Sequence, residues 1–211
     1  MAHELLERFR LDEEFALDVL DLALRKFATT DQAQELEVVL AEGGSAWKVA
    51  LEESGDARLE RRVPGPAAET IDLVASDSGR TAQHLDLAWR KLFGRDPDTS
   101  GSYREAVRAV EVAAKPLFTP DDSRATLGKI IRAIRDKPEK WELGLDGSSA
   151  LQVAEMADLI WRGQKDRHGT DDPEAPLAVS REEADAALFL AIALARLLTN
   201  GTVKATEPRG A

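Results

Sequence analysis

Apolar residues recur every three or four positions along most of this chain, which is the spacing of one face of an α-helix. The pattern predicts two amphipathic helices at the N-terminus, the second capped by Asp12, and a short helix over 36–40 that ends at Gly43 and Gly44. Between positions 47 and 63 the apolar residues instead alternate with polar ones on both sides of a polar turn. A period of two on either side of a turn predicts a β-hairpin.

Beyond the hairpin, the helical period returns and continues almost to the C-terminus. It predicts a helix over 67–75 and a longer one that ends at Gly94. Ser102 and Glu105 have the spacing of a capping box, so they predict the start of the next helix after a loop over 95–101.

Three more helices complete the pattern. The first starts at residues 121–123 and is stopped by Pro138, and the second begins after the serines at 148–149. Ser180 and Glu183 form another capping box, which opens the last helix. That helix is apolar nearly all round, so we expect it at the centre of a bundle.

These elements predict a mainly α fold with two regions and a tail. Residues 1–78 form N-terminal helices with a short β-hairpin, residues 79–201 form a helical bundle, and residues 202–211 form a flexible tail. A chain of 211 residues is long enough for one large domain, or for one domain with an appendage.

Composition narrows the chemistry. The chain has no cysteine, which excludes disulfides, thiolate metal sites and a cysteine nucleophile. Its net charge of −11 argues against a general coating of nucleic acid, although a small basic pocket remains compatible with it. The N-terminus lacks the apolar core of a secretory signal, and the apolar run at 186–195 is too short to cross a bilayer. We therefore expect a soluble cytoplasmic protein that does not bind membranes.

The stretch over 161–169 carries the strongest chemical signal. It gathers His168, one of three histidines, with Arg162, Lys165 and Arg167. An arginine that binds a phosphate and a nearby histidine that transfers a proton are the minimal set of groups that can cleave RNA without a metal.

The C-terminal half resembles the HEPN superfamily, and within it the C-terminal domain of abortive-infection proteins from bacterial phage defence. The resemblance rests on the segments SYREAVRAVE at 102–111 and ATLGKII at 125–131, and on LIWR at 159–162 leading to DRHGT at 166–170. It implies a HEPN-like four-helix bundle. Similar proteins are metal-independent ribonucleases that carry an arginine, four to six intervening residues and a histidine, and Arg162 and His168 fit that pattern.

The resemblance implies a catalytic role for Arg162 and His168. His168 would accept the proton of an RNA 2′-hydroxyl while Arg162 binds the phosphate, giving a 2′,3′-cyclic phosphate with no cofactor and no metal. Gln164, Lys165 and Arg167 would bind substrate, and Arg167 is an alternative phosphate ligand. RNA is then the expected partner.

Helix geometry constrains this pair. Six positions along one continuous helix leave two side chains about 120° apart around the axis and about 9 Å apart along it. Either the helix ends near Lys165, so that His168 folds back, or Arg162 and His168 meet across a dimer. The resemblance implies the second arrangement, a homodimer with a composite cleft.

Other interpretations stay open. Gly163 stands where many HEPN nucleases have a polar residue, so the alternative function is a catalytically inactive HEPN-like binding or interaction module, with a protein partner bound through residues 1–78. Arg162 also has the spacing to pair with Asp158 on one helix face. His84 is interpreted as a surface or packing residue, and Glu111 as a polar group bonded to another helix.

Overall fold

The computed structural model describes most of the chain, and for residues 2–6 it describes the backbone alone. The described residues are 2–52, 54–63, 79–145, 148–163 and 179–206. They are mainly helical, with eight α-helices and two antiparallel two-stranded sheets. The helix predicted over 67–75 and the predicted boundary at residue 78 lie outside them.

The chain divides into two compact units. The first comprises Met1–Pro64 together with Phe93–Pro97, and the second comprises Gly65–Leu92 together with Asp98–Ala211. The described elements of the first unit are α1 (Ala2–Leu11), α2 (Glu13–Lys26), α3 (Thr30–Glu42), β1 (Trp47–Leu51) and β2 (Ala57–Arg61).

The hairpin predicted in the first unit is confirmed, with β1 and β2 antiparallel and Val49 opposite Leu59. Asp12 caps α2 as predicted, because its carboxylate accepts the Phe15 N–H at 3.0 Å. The third helix is longer than predicted. Thr29 and Gln32 form a capping box that starts it at Thr30, six residues before the apolar run that indicated it.

A small core holds the first unit together. It consists of Leu17, Leu24, Ala33, Trp47, Ala57 and Leu59. Buried Asp21 accepts the Leu59 N–H at 2.8 Å and pairs with Arg25, so its charge is compensated where α2 meets the hairpin. From the segment Phe93–Pro97, the guanidinium of Arg95 pairs with Asp18 at 2.8 Å and lies 5.5 Å from the centre of the Trp47 ring.

The described residues of the second unit form five helices, one 3₁₀ turn and one two-stranded sheet. Its described elements are α4 (Gly79–Phe93, whose last residue is grouped with the first unit), α5 (Thr99–Phe118), α6 (Leu127–Asp136), the 3₁₀ turn Pro138–Lys140, β3 (Trp141–Leu143), α7 (Ala150–Gly163), α8 (Arg181–Thr199) and β4 (Val203–Ala205). Helices α5 to α8 pack in a ring, α5 on α6, α6 on α7, α7 on α8 and α8 on α5. Eight residues of α8 between Ala184 and Leu198 are buried, but Ala186 and Ala193 are exposed. The helix is therefore buried along one side as a member of the ring, and the expected place at the centre of the bundle is wrong for the described residues.

The predicted capping box at the start of α5 is wrong. The helix begins at Thr99, because the Asp98 carboxylate accepts the Gly101 N–H at 2.7 Å. Ser102 instead donates its hydroxyl to the Ala88 carbonyl at 2.8 Å, and Glu105 contacts His84. Both side chains therefore join α5 to α4, which sequence spacing alone does not distinguish from a cap.

The start of α6 was predicted too early. The helix begins at Leu127, and Thr126 at its N-cap makes no side-chain capping bond. Glu111 of α5 supplies the acceptor, since its carboxylate accepts the Leu127 N–H at 2.7 Å. The expectation that Glu111 is bonded to another helix is thus confirmed.

The C-terminal end of the described chain is ordered by pairing. Val203 of β4 is opposite Leu143 of β3, so three residues of the expected flexible tail form a strand. The predicted capping box of Ser180 and Glu183 is confirmed at the start of α8. Within the described residues, no helix is both long enough and apolar enough to span a membrane.

Candidate arginine groove and carboxylate-held histidine

Arg162 lies in the last turn of α7, and its guanidinium is close to the Asp158 carboxylate one turn earlier. Arg162 Nη2 is 2.7 Å from Asp158 Oδ2, and the Arg162 side chain is 74% exposed. The ion pair expected from their spacing is confirmed. Gln164, Lys165, Arg167 and His168 lie outside the described residues, so the pairing of Arg162 with His168 stays a prediction.

Asp158 also binds a second arginine. Its Oδ2 accepts from Nη2 of Arg135, on α6, at 2.9 Å, and the Asp158 side chain is only 14% exposed. Burial tends to raise the pKa of this carboxyl, but hydrogen bonds and charge from Arg135 and Arg162 outweigh it and hold the pKa below its usual range. One ionised carboxylate therefore fixes two guanidinium groups side by side where α6 meets α7.

The two arginines line a groove of about 450 Å³ between α6 and α7. Arg132 also lines it, as do Asp136 and Trp161. Three arginines against Asp136 and Asp158 leave one net positive charge in a chain whose total is −11. Arg132 has no partner among the described residues. This groove therefore offers guanidinium donors to an anion, and a planar guanidinium matches the oxygens of a phosphate.

Gly128 of α6 allows the aromatic wall of this groove to approach closely. A Cβ built on Gly128 would lie 2.8 Å from ring atoms of Trp161, closer than side-chain packing allows. The Trp161 indole thus packs directly on the backbone of α6, beside Arg162 in sequence.

Gly163 has a packing reason of the same kind. The Tyr103 hydroxyl, from α5, donates to the Ile160 carbonyl at 2.8 Å, and Tyr103 is buried. A Cβ on Gly163 would lie 2.3 Å from that hydroxyl oxygen. The residue that departs from the HEPN pattern is therefore the one that leaves room for a buried tyrosine.

A second cluster of chemically active groups was missed in the sequence. His84 Nδ1 of α4 lies 2.7 Å from Oε2 of Glu105 on α5, and Oε1 of the same carboxylate accepts from Arg108 Nη1 at 2.7 Å. An ionised carboxylate only accepts hydrogen bonds, so it selects the tautomer with the proton on Nδ1. Among the described residues, the other ring nitrogen of His84 has no hydrogen-bond partner.

Little in the sequence could have found this cluster. Glu105 and Arg108 have the spacing of a pair on one helix face, but His84 comes from another helix, 21 positions away. Its interpretation as a surface or packing residue omitted the carboxylate that holds it.

Comparison of the chain with models of protein families, with curated proteins and with solved structures found no match in any of the three.

Proposed function

We propose that the second unit is a metal-independent endoribonuclease of HEPN type that cleaves RNA to a 2′,3′-cyclic phosphate. The observation that carries the proposal is the position of Arg162, exposed at the end of α7 and at the edge of a groove with Arg132 and Arg135. The resemblance to the HEPN superfamily predicts a phosphate-binding arginine at this helix end. It also implies the setting, antiviral defence by abortive infection, and a homodimer with a composite cleft.

The arrangement around Asp158 supports phosphate binding. Each guanidinium has five N–H donors, and the Asp158 carboxylate engages only part of them on Arg135 and Arg162. The remaining donors can bind the non-bridging oxygens of a phosphodiester without leaving the carboxylate. Asp158 thereby fixes the guanidinium planes before substrate arrives, which lowers the entropy lost on binding.

In the proposed reaction, His168 takes the proton of the RNA 2′-hydroxyl. The 2′-oxygen bonds to phosphorus, the bond from phosphorus to the 5′-oxygen breaks, and the leaving oxygen takes up a proton. Negative charge grows on the non-bridging oxygens during this step, and Arg162 stabilises it. Gln164, Lys165 and Arg167 keep their proposed roles in binding the substrate strand.

A second candidate function, an inactive HEPN-like binding module, is favoured by two observations. The ion pair with Asp158 is sufficient by itself to account for the position of Arg162. The absence of a side chain at Gly163 is explained by the packing of Tyr103 and needs no catalytic reason. In this function, residues 1–78 bind a protein partner and RNA is not cleaved.

Incubation of the full chain with RNA in EDTA tests the proposal. We expect 2′,3′-cyclic phosphate ends from the wild type, and a loss of about 10²-fold or more in rate for His168→Ala and Arg162→Ala. Arg124→Ala is the matched control, because this exposed arginine does not line the groove.

Two results would overturn the ribonuclease. These are no cleavage by the wild type, and equal cleavage by wild type and His168→Ala. RNA binding without cleavage would favour the inactive module. Analytical ultracentrifugation at the assay concentration tests the dimer, and an active monomer would contradict the composite cleft.

A further inference from the structure

The His84 cluster lies on a different side of α5 from α7 and its arginine groove. Tyr103 reaches the backbone of α7, whereas Glu105 reaches His84 on α4. The two residues are two positions apart on α5, so their side chains project about 200° apart around the helix axis. A ligand held at His84 is thus separated by α5 from one held by Arg162.

Two basic side chains bind the carboxylate of this cluster, and a third lies on the same face of α4. Arg108, with a side chain 56% exposed, pairs with Glu105, and His84 binds the other oxygen of that carboxylate. Arg80 lies one turn before His84 on α4, on the same face of the helix, and has no partner among the described residues. Two arginines against one glutamate leave a net positive charge even when His84 is neutral.

The carboxylate does not prevent an anion from binding here. Both oxygens of Glu105 are occupied, and its side chain is only 11% exposed, against 20% for His84 and 56% for Arg108, so the two basic groups are more accessible than the carboxylate that holds them. Arg108 uses one nitrogen for Glu105 and keeps other N–H donors. Nε2 of His84 has no hydrogen-bond partner among the described residues and is therefore available to a bound phosphate group.

We infer that Arg80, His84 and Arg108 form a binding site for a phosphate group, with Glu105 as the residue that positions His84 and Arg108. The ligand is a free phosphate or the backbone phosphate of a nucleic-acid strand. The site binds its ligand whether or not the chain cleaves RNA, so it goes beyond the proposed function. Glu105 acts through the two residues that it holds and does not touch the ligand.

Nuclear magnetic resonance of the full chain with ¹⁵N-labelled histidine tests this site. The variant His84→Gln assigns the ring signals of His84, which are then followed while inorganic phosphate, or separately a short single-stranded RNA, is added at constant ionic strength. If the bond between His84 and Glu105 serves only to join α4 to α5, the NMR signal of His84 Nε2 should show no saturable change. The phosphate site predicts a saturable change in the Nε2 signal of His84.

Charge-neutral variants show whether the shift comes from this cluster. We expect Arg80→Gln and Arg108→Gln each to weaken binding about tenfold, the loss expected for one charge-assisted hydrogen bond. Arg124→Gln, which lies in neither site, is the matched control and should bind as the wild type does. If Arg108→Gln unfolds the chain, Arg80→Gln still tests the site, because Arg80 has no described partner to lose.

Each outcome bears on the site. A saturable shift with inorganic phosphate supports it, and a shift with RNA alone supports it with a strand as the ligand. No shift with either probe overturns it, as does an equal shift in Arg80→Gln and Arg108→Gln. The ribonuclease assay uses Arg162 and His168, so the cleavage proposal and the phosphate site can fail separately.

Discussion

Gly163→Ala tests whether the buried tyrosine explains the glycine at the end of α7. The added methyl group would lie 2.3 Å from the Tyr103 hydroxyl oxygen, so the ring must move and its bond to the Ile160 carbonyl is strained or lost. Overpacking of this kind costs about 1 to 3 kcal/mol. Replacing glycine by alanine in a helix returns about 0.5 to 1 kcal/mol. Taking the middle of each range, we expect a net loss of about 1 kcal/mol in the free energy of unfolding.

A double-mutant cycle with Tyr103→Phe separates the clash from other effects of the alanine. Without the hydroxyl, the nearest ring atom to the new methyl group is Cζ of residue 103, 3.3 Å away, a contact that a shift of a few tenths of an ångström relieves. We expect Gly163→Ala to change stability by close to zero when position 103 is phenylalanine. The coupling between the two positions should then be about 1 kcal/mol.

Urea unfolding, followed by circular dichroism, measures all four corners of the cycle. Ala133→Gly in α6 is the control, because it measures the stability difference between glycine and alanine within a helix of this chain. Gly55→Ala is not suitable, because the φ of Gly55 is 90°, a conformation that strains any side chain. Equal destabilisation by Gly163→Ala in both backgrounds would refute the packing explanation. So would a neutral or stabilising effect in the presence of Tyr103.

Three further predictions concern the packing and charges of the second unit. Gly128→Ala should cost about 1 to 3 kcal/mol of stability in thermal unfolding, because the new methyl group meets the Trp161 ring at 2.8 Å; an unchanged midpoint would contradict this. Asp158→Asn should cost about 1 kcal/mol at pH 7. The folded-state pKa of Asp158 is lowered, so the stability it adds is present above its unfolded pKa and is lost as the pH falls through the folded one. Urea unfolding at pH 7 and pH 3 should therefore show wild type and variant converging in acid, and a constant difference would be contrary. Glu111→Ala should cost about 1 kcal/mol and speed hydrogen exchange at the Leu127 amide, whose acceptor it removes; unchanged exchange would count against that role.

The local elements of this fold could be predicted because their causes are local. The hairpin follows from the alternation around positions 47–63. Asp12 and Ser180 cap helices because their side chains accept from backbone N–H groups three residues further along. The start of α5 could not be placed in this way. Ser102 and Glu105 have the spacing of a cap, but Ser102 bonds to Ala88 and Glu105 to His84, both on another helix, and only the packed structure shows these contacts.

The candidate sites divide along the same line. The pair of Asp158 and Arg162 lies one turn apart and was visible in the sequence, whereas Arg135 comes from a helix 23 positions away in sequence. In the sequence Gly163 stood out as a missing polar group, because Tyr103, which excludes a side chain there, is distant along the chain. The role of His168 stays a prediction from the resemblance.

The membership of Phe93–Pro97 in the first unit affects the order in which the chain can fold during synthesis. Arg95 brings a guanidinium to Asp18 and to the Trp47 ring, so the first unit lacks one of its parts until residue 97 has left the ribosome. By then all of α4 has also been made. A fragment that ends at residue 78 would therefore lack a piece of its own fold, and a fragment that starts there would carry that piece away. The two units are compact, but the chain cannot be divided between them by one cut.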